Sequence, residues 1–154
     1  MPDPETRLKR YIEENEIAAE HHRYATSCHS VAEAAATAGV TPQDFIKSIC
    51  LLDGNGGLIV AVVKGEDRVS RSRVGRALGI ERPRIAGPAE VLEKSGYPAG
   101  GTPPFGFEAR FLIDPRVMEM ETVWGGGGSD RALIRIAPAQ IVAASGGTVV
   151  RVRQ

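Results

Sequence analysis

The chain has 154 residues, of which 42% are hydrophobic and 25% charged, and its 19 basic side chains balance its 19 acidic ones. This size and composition predict one globular domain with its own core, and the zero net charge argues against a dedicated, high-affinity nucleic-acid clamp. No apolar stretch approaches the roughly 18 residues that a membrane-spanning helix needs, and the first residues do not have the pattern of a secretory signal. Two cysteines give no disulfide framework, so free thiols in the cytoplasm are expected.

The first third of the chain predicts three helical segments. Asp3, followed by proline, is a good N-cap for an amphipathic helix over residues 4–19. A second helix is predicted over residues 31–38 and ends at Gly39, which suits the left-handed C-terminal cap. Residues 41–44 predict a capped helical turn that leads directly into the next strand.

Two apolar, β-branched-rich runs at residues 46–52 and 58–63 predict strands, and the glycine-rich sequence between them is a strong hairpin signal. Further helices are predicted over residues 70–78, 88–94 and 138–144, and further strands near residues 110–113, 122–124, 132–136 and 148–152. Helices and strands alternate, yet several strands are linked by hairpins. The chain is therefore predicted to be α+β, a single domain over residues 1–154 with a mixed, mostly antiparallel, barrel-like sheet flanked by helices.

Lys47 lies inside the apolar run of residues 46–52. Burying an ammonium group there is costly unless it finds partners or a wet cleft. A lysine in this setting can act as a base with a lowered pKa, form a Schiff base, or hold an anionic or carbonyl oxygen. In the structural alternative, its aliphatic stem packs on the sheet while the ammonium reaches solvent.

Two glycine-rich loops are the other unusual features. Residues 100–106 read Gly-Gly-Thr-Pro-Pro-Phe-Gly, an irregular backbone whose N–H groups need partners. Such a loop can form a carbonyl-binding cradle of the oxyanion type, with a rigid surface turn as the alternative. Residues 124–130 read Trp-Gly-Gly-Gly-Gly-Ser-Asp, which indicates close approach of a ligand, a mobile flap or a plain hairpin turn.

Basic residues are concentrated in residues 64–84, which hold seven basic and three acidic side chains. This patch would contact a phosphate backbone with modest, salt-sensitive affinity, with a solvated helix face as the alternative. The sequence also clusters four residues of types that ligate metals, His21, His22, Cys28 and His29. Their spacing matches no common metal motif. No metal site and no other cofactor is therefore predicted, and a Gly-x-Ser-x-Gly nucleophile elbow is absent from the sequence.

Three stretches together resemble a known family, the YbaK and prolyl-tRNA-synthetase-insertion family of trans-editing aminoacyl-tRNA deacylases. They are Phe-Ile-Lys-Ser at residues 45–48, Gly-Tyr-Pro-Ala-Gly-Gly-Thr-Pro-Pro-Phe-Gly at residues 96–106, and Val-Trp-Gly with Ser-Asp-Arg-Ala-Leu within residues 123–133. Their order and spacing agree over nearly the whole chain. The resemblance implies a YbaK-like fold and hydrolysis of an aminoacyl ester. That chemistry needs a positioned water and a stabilised oxyanion, and requires neither a metal nor a protein nucleophile.

The resemblance also implies roles for particular residues. Lys47 matches the lysine on which deacylation in the family depends. The family's Gly-x-x-x-Pro loop, whose backbone holds the aminoacyl carbonyl region, matches a stretch of this chain; the substrate-binding residues expected there are Gly100, Gly101, Thr102, Pro103, Pro104 and Gly106. Thr102 stands where some cysteinyl-specific members have cysteine, which argues against cysteine specificity. Further substrate-binding positions are Ser129 and Asp130 of the second loop, and His29 and Ser30 in a pocket wall.

We therefore expect a cytoplasmic deacylase without a cofactor that removes a small wrong amino acid from tRNA, with tRNA for proline as the leading candidate. The expected partners are the acceptor end of aminoacyl-tRNA and an aminoacyl-tRNA synthetase, but no membrane, and the expected phosphate contacts are Arg71, Arg73 and Arg76. Two alternatives stay open. One is a non-catalytic module of the same fold that binds a tRNA acceptor end or a synthetase, and the other is a hydrolase of a different small ester or amide.

Overall fold

The computed structural model describes residues 3–28 and 30–154. The helices are α1 (Pro4–Glu14), α2 (Val31–Ala38), α3 (Arg71–Leu78), α4 (Pro88–Ser95), α5 (Pro115–Met118) and α6 (Pro138–Ser145). The strands are β1 (Ala19–Arg23), β2 (Ile46–Leu52), β3 (Leu58–Lys64), β4 (Arg84–Ile85), β5 (Arg110–Ile113), β6 (Val123–Gly126), β7 (Ala132–Ile136) and β8 (Thr148–Val149). Short 3₁₀ turns lie at Pro42–Asp44 and Ala99–Gly101. Within the described ranges, every helix is too short or too polar to cross a membrane.

The strands form two sheets. An antiparallel sheet has the order β1-β7-β6, and a mixed sheet has the order β4-β2-β3-β5-β8. In the mixed sheet β2 pairs antiparallel with β3 and β4, whereas β5 runs parallel to β3 and β8. A bridge between Phe45 and Trp124 joins the start of β2 to β6. The α+β class is confirmed, but the strands are divided between two sheets, and among the described residues they do not close into a barrel.

Alternating side chains of β2 pack into two different apolar layers, as expected for a strand covered on both faces. Ile46 and Cys50 belong to the larger core, which also contains residues of α1, β3, β5, β6 and β7. Leu51 points to the other face and packs with Val74 of α3. Lys47 has the same parity as Leu51, so its side chain leaves the strand on the α3 face.

The predicted helix over residues 4–19 is wrong after its first eleven residues. Asn15 caps α1, and Glu16 adopts a left-handed backbone with φ of 51°, which a continuing helix does not tolerate. Residues 19–23 instead form β1, which pairs with β7 along its whole length. Pairing with a distant strand overrides a helical pattern that the local sequence suggests.

Most other predicted elements lie where the sequence placed them. α2 ends at Gly39 with φ of 73°, and Ser70 caps α3 by accepting a hydrogen bond from the Arg73 N–H (3.2 Å). The sequence missed β4 and α5, which have two and four residues and are too short to produce a periodic pattern. The last strand is shorter than predicted and contains only two paired residues.

Candidate active site

A cleft of about 230 Å³ lies between the first half of β2, the start of α2, β6 and the 3₁₀ turn at residues 99–101. Its walls are formed by Cys28, Ser30, Val31, Ala34, Phe45, Ile46, Lys47, Ser48, Ile49, Ala99, Gly100, Thr102, Gly125, Gly126 and Leu133. Four of these residues were expected at a substrate site from the sequence, and they are Lys47, Gly100, Thr102 and Ser30. Most of the remaining wall is apolar or glycine, which suits a small ligand group.

The cleft lies along the outer edge of β2, between the bridge from β6 at Phe45 and the two residues paired with β4 at the far end of the strand. The Gly65 N–H donates to the Phe45 carbonyl (2.7 Å), and the Ala86 N–H donates to the Cys50 carbonyl (3.0 Å). Because hydrogen-bonding direction alternates along an antiparallel pair, odd-numbered residues of β2 bond to β3 and even-numbered ones face away from it. β4 covers this outer edge only at the far end of the strand. The N–H and C=O of Ser48 therefore point towards the cleft.

The ammonium of Lys47 makes no ion pair or hydrogen bond with any residue that the structure describes. Partial burial lowers the pKa of Lys47, the positive charge of Arg68 lowers it further, and the carboxylate of Asp67 opposes this shift. One carboxylate oxygen of Asp67 accepts a hydrogen bond from Arg116 (2.6 Å), and its other oxygen is buried and makes no hydrogen bond with a described residue. The cleft thus contains a half-buried cation whose hydrogen-bonding capacity is available to a ligand.

The loop after α4 offers fewer backbone donors than its sequence suggests. The Gly101 N–H donates to the Pro98 carbonyl (2.9 Å), and the Thr102 hydroxyl donates to the same oxygen (2.9 Å). The two prolines that follow have no N–H. Of this loop's residues after Ala99, Gly100 and Thr102 line the cleft.

Four residues of the first loop that were expected at the substrate site do not line the cleft, and they are Gly101, Pro103, Pro104 and Gly106. Pro103 and Pro104 are buried in the loop next to the cleft, where their rings restrict the backbone. Gly106 has φ of 97° and lies against α1, where a Cβ would stand 3.7 Å from Tyr11 and 3.8 Å from Leu8. The positive φ explains why glycine is used at this position.

The glycines of residues 125–128 serve contacts within the protein. A Cβ on Gly126 would overlap the carbonyl oxygen of Thr102, and a Cβ on Gly101 would stand 2.5 Å from the backbone nitrogen of Ser129. The Gly128 N–H donates to the Gly101 carbonyl (2.8 Å). The two glycine-rich loops therefore pack backbone against backbone, an arrangement that the sequence analysis did not consider.

The other residues expected at the substrate site do not share one location. Ser30 lines the cleft and caps α2, whereas the side chain of Asp130 is exposed and lies outside the cleft wall. Ser129 does not line the cleft either, and its hydroxyl is hydrogen-bonded to Glu5 of α1. His29 lies outside the described residues. Ser129 thus ties the second loop to the first helix.

Sequence reasoning missed several wall residues. Ser48 directly follows Lys47 and is the polar one among them. Cys28 is buried in the wall, and burial raises the pKa of its thiol, so it remains a protonated, poor nucleophile. The rest of the missed wall is formed by Val31, Ala34, Phe45, Ile46, Ile49, Ala99, Gly125, Gly126 and Leu133. The run of alanines in α2 was the available signal for a shallow wall. In the described part of the chain, no three His, Cys, Asp or Glu side chains lie close enough to hold a metal ion.

The basic helix α3 covers the sheet face from which the Lys47 side chain projects. Arg71 is partly committed to the fold, since its Nε donates to the Pro83 carbonyl (2.7 Å). The side chains of Arg73 and Arg76 make no hydrogen bond or ion pair with a described residue. Exposed Arg68 lies between this helix and the lysine in sequence and influences the lysine charge. Arg68, Arg73 and Arg76 therefore add basic groups on the α3 side of Lys47, where Glu66 and Asp67 are acidic groups.

The α+β fold thus contains a cleft with small wall residues, a half-buried lysine and part of a glycine-proline loop. Residues 25–144 match the family model described as the aminoacyl-tRNA editing domain. The match covers most of the chain, so the chain belongs to this family, in agreement with the resemblance that its motifs carry.

Comparison with individual proteins agrees with this family. The chain is 26% identical over 138 residues to the uncharacterized protein YwhH of Bacillus subtilis (strain 168), covering 88% of this chain and 85% of the relative. It is 28% identical over 134 residues to the multifunctional Ser/Thr-tRNA deacylase ProXp-y of Escherichia coli (strain K12), covering 79% of each. A solved structure described as a candidate trans-editing enzyme for prolyl tRNA synthetase superposes with a TM-score of 0.89 at 25% identity, covering 100% of this chain and 99% of that one.

Proposed function

We propose that this chain is a trans-editing aminoacyl-tRNA deacylase that hydrolyses the ester linking a small, wrongly attached amino acid to the terminal ribose of tRNA. Its membership of the aminoacyl-tRNA editing family gives the class of reaction. The observation that carries the proposal is the unpaired ammonium of Lys47 in a small-walled cleft. The alternative of a non-catalytic binding module is not favoured, because a relative aligned over 79% of this chain is named a deacylase.

Ester hydrolysis requires a water to attack the carbonyl carbon while negative charge develops on the carbonyl oxygen. Donors fixed in advance around that oxygen stabilise the transition state without further reorganisation. The Lys47 ammonium and the backbone N–H groups of Gly100 and Thr102 can supply such donors from two walls of the same cleft. Water adds to the carbonyl, the bond to the ribose oxygen breaks, and the products are the free amino acid and a ribose hydroxyl.

Attack by water is supported over attack by a protein nucleophile. The Cys28 thiol is in the cleft wall, but burial raises its pKa and keeps it protonated. His21 and His22 do not line the cleft, so neither of them is placed to act as a base for the Ser48 hydroxyl. A serine hydroxyl needs such a base to become a strong nucleophile. We assign Lys47 to stabilising and orienting the ester rather than to forming a covalent intermediate.

We assign tRNA contacts to the α3 side of the cleft. Arg73 and Arg76 have uncommitted guanidinium groups, and Arg71 retains part of its donor capacity. A phosphate backbone lying across α3 would bring the acceptor end to the sheet face from which Lys47 projects. Because the net charge of the chain is zero, this contact should be modest and salt-sensitive.

The identity of the tRNA and of a partner synthetase is proposed from similarity to a solved structure. The structural neighbour described as a candidate trans-editing enzyme for prolyl tRNA synthetase supports tRNA for proline as the substrate and a synthetase as a partner. Because α1 contributes Leu8 to the same core as the central strands, we treat residues 1–154 as one editing domain. We place the protein in the cytoplasm, where its substrate is made and where two free thiols remain reduced.

A deacylation panel tests the proposal. Wild type, Lys47→Ala and the control Lys94→Ala, an exposed lysine on α4, are incubated with tRNA carrying alanine, cysteine, serine, threonine or proline. Wild type is expected to release at least one small amino acid, Lys94→Ala to match it, and Lys47→Ala to lose about 10²–10³-fold in kcat/KM, the usual effect of removing an oxyanion donor. If wild type leaves every substrate intact at enzyme concentrations near those of the substrate, or Lys47→Ala is fully active, the proposal is wrong.

A further inference from the structure

The outer face of the three-stranded sheet carries a row of aromatic side chains that begins in the cleft wall. Phe45 lines the cleft, and the centroid of its ring lies 6.4 Å from that of Trp124. The Trp124 ring lies 5.2 Å from the imidazole of His22, which in turn lies 6.4 Å from the ring of Tyr24. The row therefore leads from the cleft to partly exposed rings on β1 and just after it.

The strand register explains why these rings share one face. His22 stands opposite Leu133 in the pairing of β1 with β7, and Leu133 lines the cleft. Directly paired residues of an antiparallel sheet project to the same side, and so do residues two apart along one strand. Tyr24 is therefore on the same face as Leu133, whereas Ile134 of opposite parity packs into the large core. The aromatic row lies on the side of this sheet that faces away from that core.

His22 and Tyr24 form the accessible end of the row. Trp124 is only 9% exposed, whereas 39% of the His22 side chain is accessible and Tyr24 is half-buried. The imidazole is held at its edge by Glu20, whose carboxylate lies 2.9 Å from Nε2. Aromatic rings that are fixed on a sheet and partly open to solvent are the surfaces on which proteins stack the bases of single-stranded nucleic acids.

Basic side chains lie beside these rings. Arg131 is exposed, and one of its guanidinium N–H groups donates to the Ala25 carbonyl (3.0 Å). Its other donors can reach a phosphate. Glu20 is compensated by Arg135 (3.2 Å) as well as by its contact with His22. Stacking rings next to cations are the usual combination in proteins that bind single strands.

The chemistry of the cleft identifies what would reach this face. The ester that the cleft would hold is attached to the ribose of the terminal adenosine of tRNA, so its adenine lies one sugar away from the reacting carbonyl. We propose that the outer face of the three-stranded sheet binds this terminal adenine, and that the adenine stacks on His22 and Tyr24. The inference rests on the proposed deacylase function, which identifies the occupant, and it adds a binding surface that does not involve α3.

The fluorescence of Trp124 provides a direct test, because this residue is the single tryptophan of the chain and contacts His22. Wild type is titrated with the uncharged trinucleotide CCA, the 3′ end of tRNA, and with the same trinucleotide lacking the terminal adenine. The complete trinucleotide is expected to change the fluorescence and to bind at least about fivefold more tightly than the abasic one, the lower end of the effect of one stacked base.

Two pairs of variants separate the rings from other properties of these side chains. His22→Leu and Tyr24→Leu remove a ring, so each should weaken binding of CCA at least about fivefold and leave binding of the abasic trinucleotide unchanged. His22→Phe and Tyr24→Phe keep a ring that suits a strand and should bind CCA within about twofold of wild type. Leu92→Ala, at an exposed apolar residue of α4, is the control and should leave both affinities unchanged.

The deacylation assay provides a second readout. Both leucine variants should raise KM for aminoacyl-tRNA with kcat changed less than about twofold, because the adenine is bound equally in the ground state and the transition state. A Trp124 signal that does not respond to CCA, equal affinity for the two trinucleotides, or leucine variants that weaken both alike would overturn the stacking surface. Hydrolysis that depends on Lys47 would then still support the deacylase. Base-dependent binding without hydrolysis of any aminoacyl ester would instead overturn the deacylase and leave the stacking surface standing.

Discussion

Lys47 and Asp114 are both charged residues of the five-stranded sheet and its margins, but they differ in burial and in the number of hydrogen-bond partners. Asp114 follows β5 and is fully buried. Its carboxylate accepts hydrogen bonds from the N–H groups of Arg116 (3.0 Å), Val152 (3.0 Å) and Arg153 (3.1 Å), and from the Arg153 guanidinium (2.8 Å). Lys47 is half-buried and has no described partner.

This difference separates a structural charge from a functional one. Burying a charge costs several kcal/mol unless hydrogen bonds and an opposite charge compensate for it. Around Asp114 the hydrogen bonds and the charge of Arg153 supply this compensation. The bonds from Val152 and Arg153 also attach the C-terminal segment to the sheet. Around Lys47 this compensation is missing, and because the side chain is only half-buried, its ammonium stays partly hydrated and available to a ligand. The same criterion separates Ser48, whose polar groups are free, from Thr102, whose hydroxyl is engaged.

The largest stability effect should come from Asp114→Asn. The amide keeps the size of the side chain but cannot accept four hydrogen bonds, and it removes the partner of the Arg153 charge. We expect a loss of about 3 kcal/mol in the free energy of unfolding, the lower end of the range for breaking a buried pair. Lys47→Met, which removes an uncompensated charge, should change stability by less than about 1 kcal/mol. Urea unfolding of both variants at pH 7 measures this contrast; equal losses would contradict it.

The pH dependence sharpens the same comparison. Burial alone would raise the pKa of Asp114, but hydrogen bonds from the backbone and from Arg153 outweigh it and hold the pKa below its usual value. The stabilisation is therefore fully present above the unfolded carboxyl pKa of about 3.9 and is lost as pH falls through the lower folded value. The difference in stability between wild type and Asp114→Asn should be constant from pH 7 to about 5 and shrink below about pH 4. A difference that grows in acid would refute this assignment.

A smaller effect is expected where the two loops of the cleft meet. In Gly126→Ala the new methyl group would overlap the Thr102 carbonyl, so the loops must separate. Overpacking of this kind costs about 1–3 kcal/mol, and it should also lower kcat/KM because the cleft wall moves. Gly54→Ala is the matched control, since a Cβ there meets nothing within 4 Å. Thermal unfolding and the deacylation assay measure both variants. Equal behaviour of the two alanines would show that the loops do not need this close contact.

Local signals predicted much of the fold. The hairpin of β2 and β3 and the ends of α2 and α3 follow from turn glycines, caps and apolar runs that act over a few residues. The failures are elements that depend on distant partners. β1 exists because β7 pairs with it, and its sequence Ala-Glu-His-His-Arg has no strand pattern of its own. The division into two sheets likewise follows from long-range pairing.

The candidate site shows the same limit. Lys47 and the glycine-proline loop were recognised from the sequence, and the structure brings Lys47, Gly100 and Thr102 to one cleft. Ser48 was not recognised as a wall residue, because its place there depends on how distant segments pack along the edge of β2. Ser129 and Asp130 were expected in the pocket from their place after four glycines, but those glycines pack against the chain itself. Their close contact with backbone atoms is a tertiary fact that no local pattern reveals.

The smallest expected effect concerns the arginines of α3. It tests whether basic side chains without a described partner also mark the surface that binds tRNA. Arg73 and Arg76 have no described partner, so replacing both by glutamate should not disturb the fold. It should raise KM for aminoacyl-tRNA about 3- to 10-fold at low salt, with little change in kcat, because the lost contacts are to phosphate. Arg10→Glu, an exposed arginine on α1, is the control and should leave KM unchanged. The defect should fade as salt is raised, since screening weakens the same contacts in wild type. A defect that persists at high salt, or equal effects of the α1 and α3 variants, would show that α3 is not part of the tRNA-binding surface. Of the three cations compared, Lys47 alone would then keep a proposed ligand.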